Sequence, residues 1–139
     1  MKASDSGGAT EGSVAVVPPS HRDILTKRGF ALVATVAEDR APQVTPVWFR
    51  EEQGAVVFST TKGRRKYRNL ESNPAIAVCI MDPDDPYRYV ELRGRAQIDD
   101  DPGGDLLHVL SERYTGHRFS GDVGDRVIVR AIPDRVLVY

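Results

Sequence analysis

The sequence predicts a mainly β (α+β) domain: six or seven short antiparallel strands wrapped into a small barrel, with a few short helices. Three observations predict it. Short apolar runs recur along the whole chain, each bounded by Gly, Pro, Asn or Asp. The connections between them are too short for parallel crossovers, so neighbouring strands pair as hairpins. Helical segments are brief: a short one after Ser20 and two more near 64–72 and 104–114. A chain of 139 residues fits one such domain and not two.

Taken in order, residues 1–18 are rich in Gly, Ser and Ala and read as a flexible tail, leaving 19–139 as the folded domain. Ser20 is placed to cap a short helix, with Asp23 in the capping-box position and Gly29 as its left-handed stop. Phe30 to Val36 is the first strand, and a turn at Glu38-Asp39-Arg40 leads to a second, Gln43 to Phe49. Pro46 has no N–H to give, so this second strand must lie at an edge or carry a bulge. A turn at 51–54 returns the chain to Ala55-Val56-Val57-Phe58, which is apolar at every position.

A basic helix follows from about Arg64 to Ser72, with Tyr67 and Leu70 facing inward and Asn73-Pro74 ending it. Ala75 to Met81 is a buried strand, and Asp82 to Pro86 a tight polar loop. Tyr87 to Asp99 alternates polar and apolar residues as a long half-buried strand does. Asp101-Pro102 caps a helix over 104–114 that turns Leu106, Leu107, Val109 and Leu110 inward. Val127 to Ile132 and Val136 to Val138 close the chain as strands.

The net charge of −1 argues against a general nucleic-acid binder, whose domain is normally basic throughout. Basicity is local instead: five of the seven residues from Lys62 to Arg68 are Lys or Arg. Cys79 is the only cysteine, which excludes an internal disulfide and suits a reducing, cytoplasmic setting. Its apolar strand makes it a small core residue rather than a nucleophile. No apolar run approaches the roughly 20 residues of a membrane span, and the N-terminus lacks a secretion-signal pattern. His21, His108 and His117 show no metal-ligand spacing, and the Asp clusters sit where turns and caps need them. No Ser/His/Asp or Cys/His arrangement has a local signature.

What remains is the stretch Ser59-Thr60-Thr61-Lys62-Gly63-Arg64-Arg65-Lys66-Tyr67-Arg68. Hydroxyls, a glycine and the start of a basic helix can hold a phosphate: backbone and hydroxyl groups donate hydrogen bonds, and the cations neutralise its charge. A charge run alone is as readily a solvated helix face. Position directly after a buried strand favours a ligand site. A phosphate cradle without acid–base machinery suits a protein whose chemistry resides in a cofactor. Trp48 and Tyr87, near strand ends, are aromatics against which a flat ring can pack; Trp48 equally suits the core.

The ordered set of segments, from Phe30–Val36 through Gln43-Val44-Thr45-Pro46-Val47-Trp48-Phe49 and Phe58-Ser59-Thr60 to Lys66-Tyr67-Arg68-Asn69-Leu70, Asn73-Pro74-Ala75 and Glu91-Leu92-Arg93-Gly94-Arg95-Ala96, resembles one family. It is similar to the pyridoxamine 5'-phosphate oxidase-like split β-barrels, in the branch of coenzyme F420-dependent oxidoreductases. The resemblance covers about Ile24 to Tyr139 and implies a homodimer with a cofactor in each interface groove. It implies that Ser59, Thr60, Arg64 and Lys66 hold the cofactor phosphate with help from Arg68. Thr61 and Lys62 belong to the same cradle. Thr45, Pro46, Val47 and Trp48 would lie along the ring system, and Tyr87 would reach it from the partner subunit.

The implied reaction passes a hydride from the reduced deazaflavin to an electron-poor small organic acceptor. The anionic tail of F420 suits the surplus of Lys62, Arg64, Arg65, Lys66 and Arg68, whereas FMN needs less charge. An FMN-binding reductase, or a non-enzymatic flavin or deazaflavin carrier on the same fold, is the alternative. Pyridoxamine phosphate oxidation itself is not expected, because the Arg-rich C-terminal segment of those oxidases has no counterpart here.

Overall fold

Antiparallel strands carry most of the chain in the computed structural model, which describes residues 4–5 and 15–139. The order is β1 (Ser4–Asp5), a 3-10 helix (Pro19–Leu25), β2 (Ala31–Val36), β3 (Pro42–Val47), β4 (Arg50–Glu52), β5 (Ala55–Thr61), α1 (Arg65–Ser72), β6 (Ala75–Asp82), β7 (Asp85–Asp100), α2 (Asp105–Thr115) and β8 (Arg126–Val138). Seven strands form one path, β3-β2-β6-β7-β8-β5-β4, and the two-residue β1 pairs with β8. The path does not close on itself, so the barrel is split. β3 lies at one end of it, as the proline at 46 requires.

The strands are apolar for different reasons. β5 lies between two clusters and has no solvent face. Val56 and Phe58 enter the main core, with Ile24, Val33, Phe49, Val78 and Leu92, while Ala55 and Val57 pack beneath α2 against Leu106 and Leu110. Phe49 and Phe58 are fully buried, and each contributes on the order of 2–3 kcal/mol by leaving water. β7 pairs with β6 along its first half and with β8 along most of its length, which holds the split barrel together. The register with β8 shifts between Arg93 and Gly94. At that point the β8 backbone comes so close that a Cβ on Gly94 would sit 1.9 Å from the Ile132 carbonyl oxygen.

Several local expectations are corrected. Ser20 caps nothing: the first helix is 3-10, its N-cap is Pro18, and the Ser20 hydroxyl bonds His21 Nδ1 at 2.8 Å instead. That helix stops at Thr26, and Gly29 keeps a negative φ. Val109 is 45% exposed, and His108 takes the buried position on α2. The two final strands are one, because β8 runs on through Pro133 at the Gly94 irregularity. The Asp101 carboxylate does cap α2, accepting from the Leu106 N–H at 3.0 Å and the Asp105 N–H at 3.2 Å.

Ala15 and Val17 are buried in the main core, and the Ala15 N–H donates to Pro133 O at 3.1 Å. Packed chain therefore begins ahead of residue 19. The flexible tail expected over 1–18 otherwise falls largely outside the described residues.

Candidate functional site

The site is built where β5 hands the chain to α1. Alternation along β5 turns Ser59 toward the α2 side and Thr60, which is buried, toward the core. The turn at Lys62-Gly63 reverses the chain, with Arg64 N–H donating to Thr61 O at 3.1 Å. Arg64 is the N-cap of α1 and makes no side-chain cap, so the positive end of the helix is left to whatever lies in front of it.

In front of it is a cavity of about 180 Å³. Ser59, Thr60, Arg64 and Lys66 line one side, and Pro46, Val47 and Trp48 from the end of β3 line another. Residues 46–48 are thus brought together with Ser59, Thr60, Arg64 and Lys66. Leu107 and Leu110 of α2 close the cavity with an apolar wall. Trp48 stacks on Tyr114 of α2, with ring centroids 5.5 Å apart and planes at 12°, so this tryptophan is both cavity wall and core residue. The Tyr114 hydroxyl donates to Gly29 O at 2.6 Å, which ties that stack to the chain just ahead of β2.

The charge in the cavity is one-sided. Arg64, Lys66 and Arg126 all line it, and among the described residues none of them reaches ion-pair distance of a carboxylate. Burial pushes the Lys66 ammonium below its usual pKa, and the neighbouring Arg64 charge pushes it further. Ser59 Oγ is buried and, among the described residues, has no hydrogen-bond partner, as is true of Thr45 Oγ1 one residue before the cavity wall. A buried hydroxyl without a partner and three cations without a counter-charge are each costly alone. An anion with several acceptor oxygens satisfies both at once, so the donor set fits a phosphate group.

The basic cluster does not act as a unit. Lys62 turns away to an ion pair with Asp100 at 3.0 Å. Arg65 and Arg68 lie on another face of α1, where with Asn69 they border a separate cavity of about 410 Å³. Arg68 donates to Gly63 O at 3.2 Å. Thr61 lies opposite Arg126 on β8 and outside the cavity lining. Tyr87 is 75% exposed at the start of β7 and does not line the cavity of its own chain.

Arg126 is the residue that sequence reasoning missed. It opens β8 far along the chain, and only the β5–β8 register brings it to the cradle. Leu107 was foreseen as an inward residue of its helix but not as a cavity wall. Among the described residues no three His, Cys, Asp or Glu side chains converge where a metal could sit. No described helix is long and apolar enough to cross a membrane.

The profile of the pyridoxamine 5'-phosphate oxidase family matches residues 17–139. Among solved structures the chain is similar to an F420 reductase, with 37% identity over 86% of this chain and 98% of that one and a TM-score of 0.80. It shares its fold with a conserved hypothetical protein from Mycobacterium tuberculosis (23% identity, 91% and 86% covered, TM-score 0.70). It also shares it with general stress protein 26 from Bacillus anthracis (20% identity, 83% and 87% covered, TM-score 0.64). No curated protein matches the sequence.

Proposed function

Since the chain belongs to the pyridoxamine 5'-phosphate oxidase family, we propose that it is a reductase that uses a flavin-type coenzyme, F420, to reduce an electron-poor small organic acceptor. The observation that carries the reading is the small cavity in which Arg64, Lys66 and Arg126 converge beside the unpartnered Ser59 hydroxyl, under the end of β3. Likeness to an F420 reductase over nearly all of that protein supports the deazaflavin in particular.

In this reading the bound ring, once reduced, supplies the hydride. The chain supplies everything that holds it. The Ser59 hydroxyl donates to a phosphate oxygen, Arg64 and Lys66 neutralise the phosphate charge, and the N-terminus of α1 adds its dipole. Pro46, Val47 and Trp48 lie along the open edge of the sheet, where backbone groups not used by β2 are free to meet the polar edge of a ring. Leu107 and Leu110 keep water from the inner side of the cradle, which strengthens the charge interactions there. Tyr87 serves a coenzyme only if offered by a partner subunit, so a homodimer with its coenzymes at the interface is part of the proposal.

FMN is the second reading, and a specific observation favours it. With Lys62 paired to Asp100 and Arg65 and Arg68 on another face, the cavity itself holds three cations. Three suffice for a terminal phosphate without an acidic tail. Parallel fluorescence titrations with F420 and FMN separate the two. Tighter F420 binding supports the proposal, tighter FMN binding replaces it with the second reading, and binding of neither overturns both. Oxidation of the bound reduced coenzyme by an acceptor then distinguishes a reductase from a carrier.

A further inference from the structure

Arg126 is held on several sides, yet among the described residues no carboxylate lies within ion-pair distance of it. Its guanidinium carbon lies 5.7 Å from the centre of the Phe119 ring, a cation–π contact that steadies the group without neutralising it. Its stem runs past Gly104, the left-handed N-cap of α2, where an added Cβ would come within 3.6 Å of Arg126 Cγ. Arg126 Nε is buried and, among the described residues, without a hydrogen-bond partner. Burial and then the neighbouring Arg64 charge lower its pKa, and Asp122 offsets this only in part. A fixed guanidinium with an unused donor, facing two other cations in a cavity without carboxylates, is arranged for an anion of more than one charge.

We propose that Arg126 completes a three-cation clamp with Arg64 and Lys66, and that it selects ligands bearing a phosphate over the same ring systems without one. The inference rests on the coenzyme reading for its ligands but not for its geometry: the clamp takes a phosphate whichever ring carries it. β8 adds its donor to those of α1 around the same cavity. Two elements distant in sequence then grip one group, and a ligand that lacks the phosphate gains nothing from either.

The test compares wild type with Arg126→Gln and Arg126→Lys. Each is titrated with FMN against riboflavin, and with F420 against its deazaflavin core lacking the phosphate and tail. Melting temperature is followed in parallel with and without millimolar inorganic phosphate. The clamp predicts that Arg126→Gln weakens the phosphate-bearing ligand that binds by about tenfold to a hundredfold, as for a lost charged hydrogen bond. The phosphate-free counterpart is unaffected, Arg126→Lys recovers part of the loss, and phosphate ceases to raise the melting temperature of Arg126→Gln. An equal loss for both members of a pair, or no loss, overturns the clamp. If neither coenzyme binds, the coenzyme reading fails, and the phosphate arm alone decides: protection of wild type but not of Arg126→Gln keeps the clamp, and equal protection or none removes it.

Discussion

The Asn69 side chain donates to the Thr35 hydroxyl at 3.0 Å, tying α1 to β2 inside the protein. The same amide nitrogen lies 3.3 Å from Gln43 Oε1 on β3. One buried amide therefore sets the helix that carries Lys66 relative to the strand that ends in Pro46 and Val47 and leads to Trp48. Asn69→Leu leaves the Thr35 hydroxyl buried and unpaired, and is expected to cost about 1–3 kcal/mol in urea unfolding. Phosphate-ligand affinity should fall further than in Ser72→Ala, at the exposed end of the same helix.

Removing two of the clamp cations separates binding from folding. Arg64→Ala with Lys66→Ala deletes two unpaired positive charges, so the ligand-free double variant should unfold at a denaturant concentration no lower than wild type. Its coenzyme affinity should drop at least tenfold. Unchanged affinity in the folded variant would return the cluster to a solvated helix face.

Lys66 makes coenzyme binding sensitive to alkali. In the free protein its pKa is lowered by burial first and by Arg64 second; a bound phosphate pushes it back up. Binding therefore takes up a proton once the free ammonium has begun to lose its own. Affinity for phosphate-bearing ligands should decline as pH rises through the lowered pKa, and the decline should vanish in Lys66→Arg. Calorimetry in buffers of different ionisation enthalpy reads the proton directly.

Asp82 predicts the acid limit. It is buried, and the hydrogen bond from Lys27 Nζ at 2.9 Å, the Asp84 N–H and Arg88 hold its pKa at about 2 instead of 3.8. A carboxylate lowered on folding contributes stability that is full above its unfolded pKa and lost as pH falls through the folded one. Urea midpoints should fall progressively between about pH 4 and pH 2. Asp82→Asn should flatten that slope while lowering stability at neutral pH, because Lys27 and Arg88 lose the buried one of the two carboxylates they share, Asp23 being the other.

Gly94→Ala should be among the most damaging single changes in the molecule. Its Cβ would fall 1.9 Å from Ile132 O and 2.9 Å from Pro133 Cα, both backbone neighbours that move only with the strand. A loss of about 3 kcal/mol or more is expected, seen as a marked drop in melting temperature.

What could be read from the sequence followed from local chemistry. The apolar run 55–58 and Pro46 placed an interior strand and an edge strand correctly, because burial on both faces and a missing N–H are properties of the residues themselves. That 46–48 share a cavity with Ser59, Thr60, Arg64 and Lys66 is implied only by the family resemblance, because no local signature links the two segments. Arg126 carried none. An arginine at a strand start becomes a cavity residue only through the register that sets it opposite Thr61. The basic run misled in the other direction, since helical geometry sends Arg65 and Arg68 away from Arg64 and Lys66, and Asp100 claims Lys62. On α2, spacing alone could not say which of His108 and Val109 faces in.

The open end of the sheet also bears on how the molecule avoids its own kind. β3 keeps its ladder to β2 with prolines at both 42 and 46, so the missing donors belong to positions that β2 does not use, on the outward side. An incoming strand would find two gaps four residues apart in the row of hydrogen bonds it needs, although Val44 between them is 62% exposed and apolar. Fibril-like growth by strand addition therefore stalls at this edge. Any subunit that covers it must do so through side chains rather than by extending the ladder.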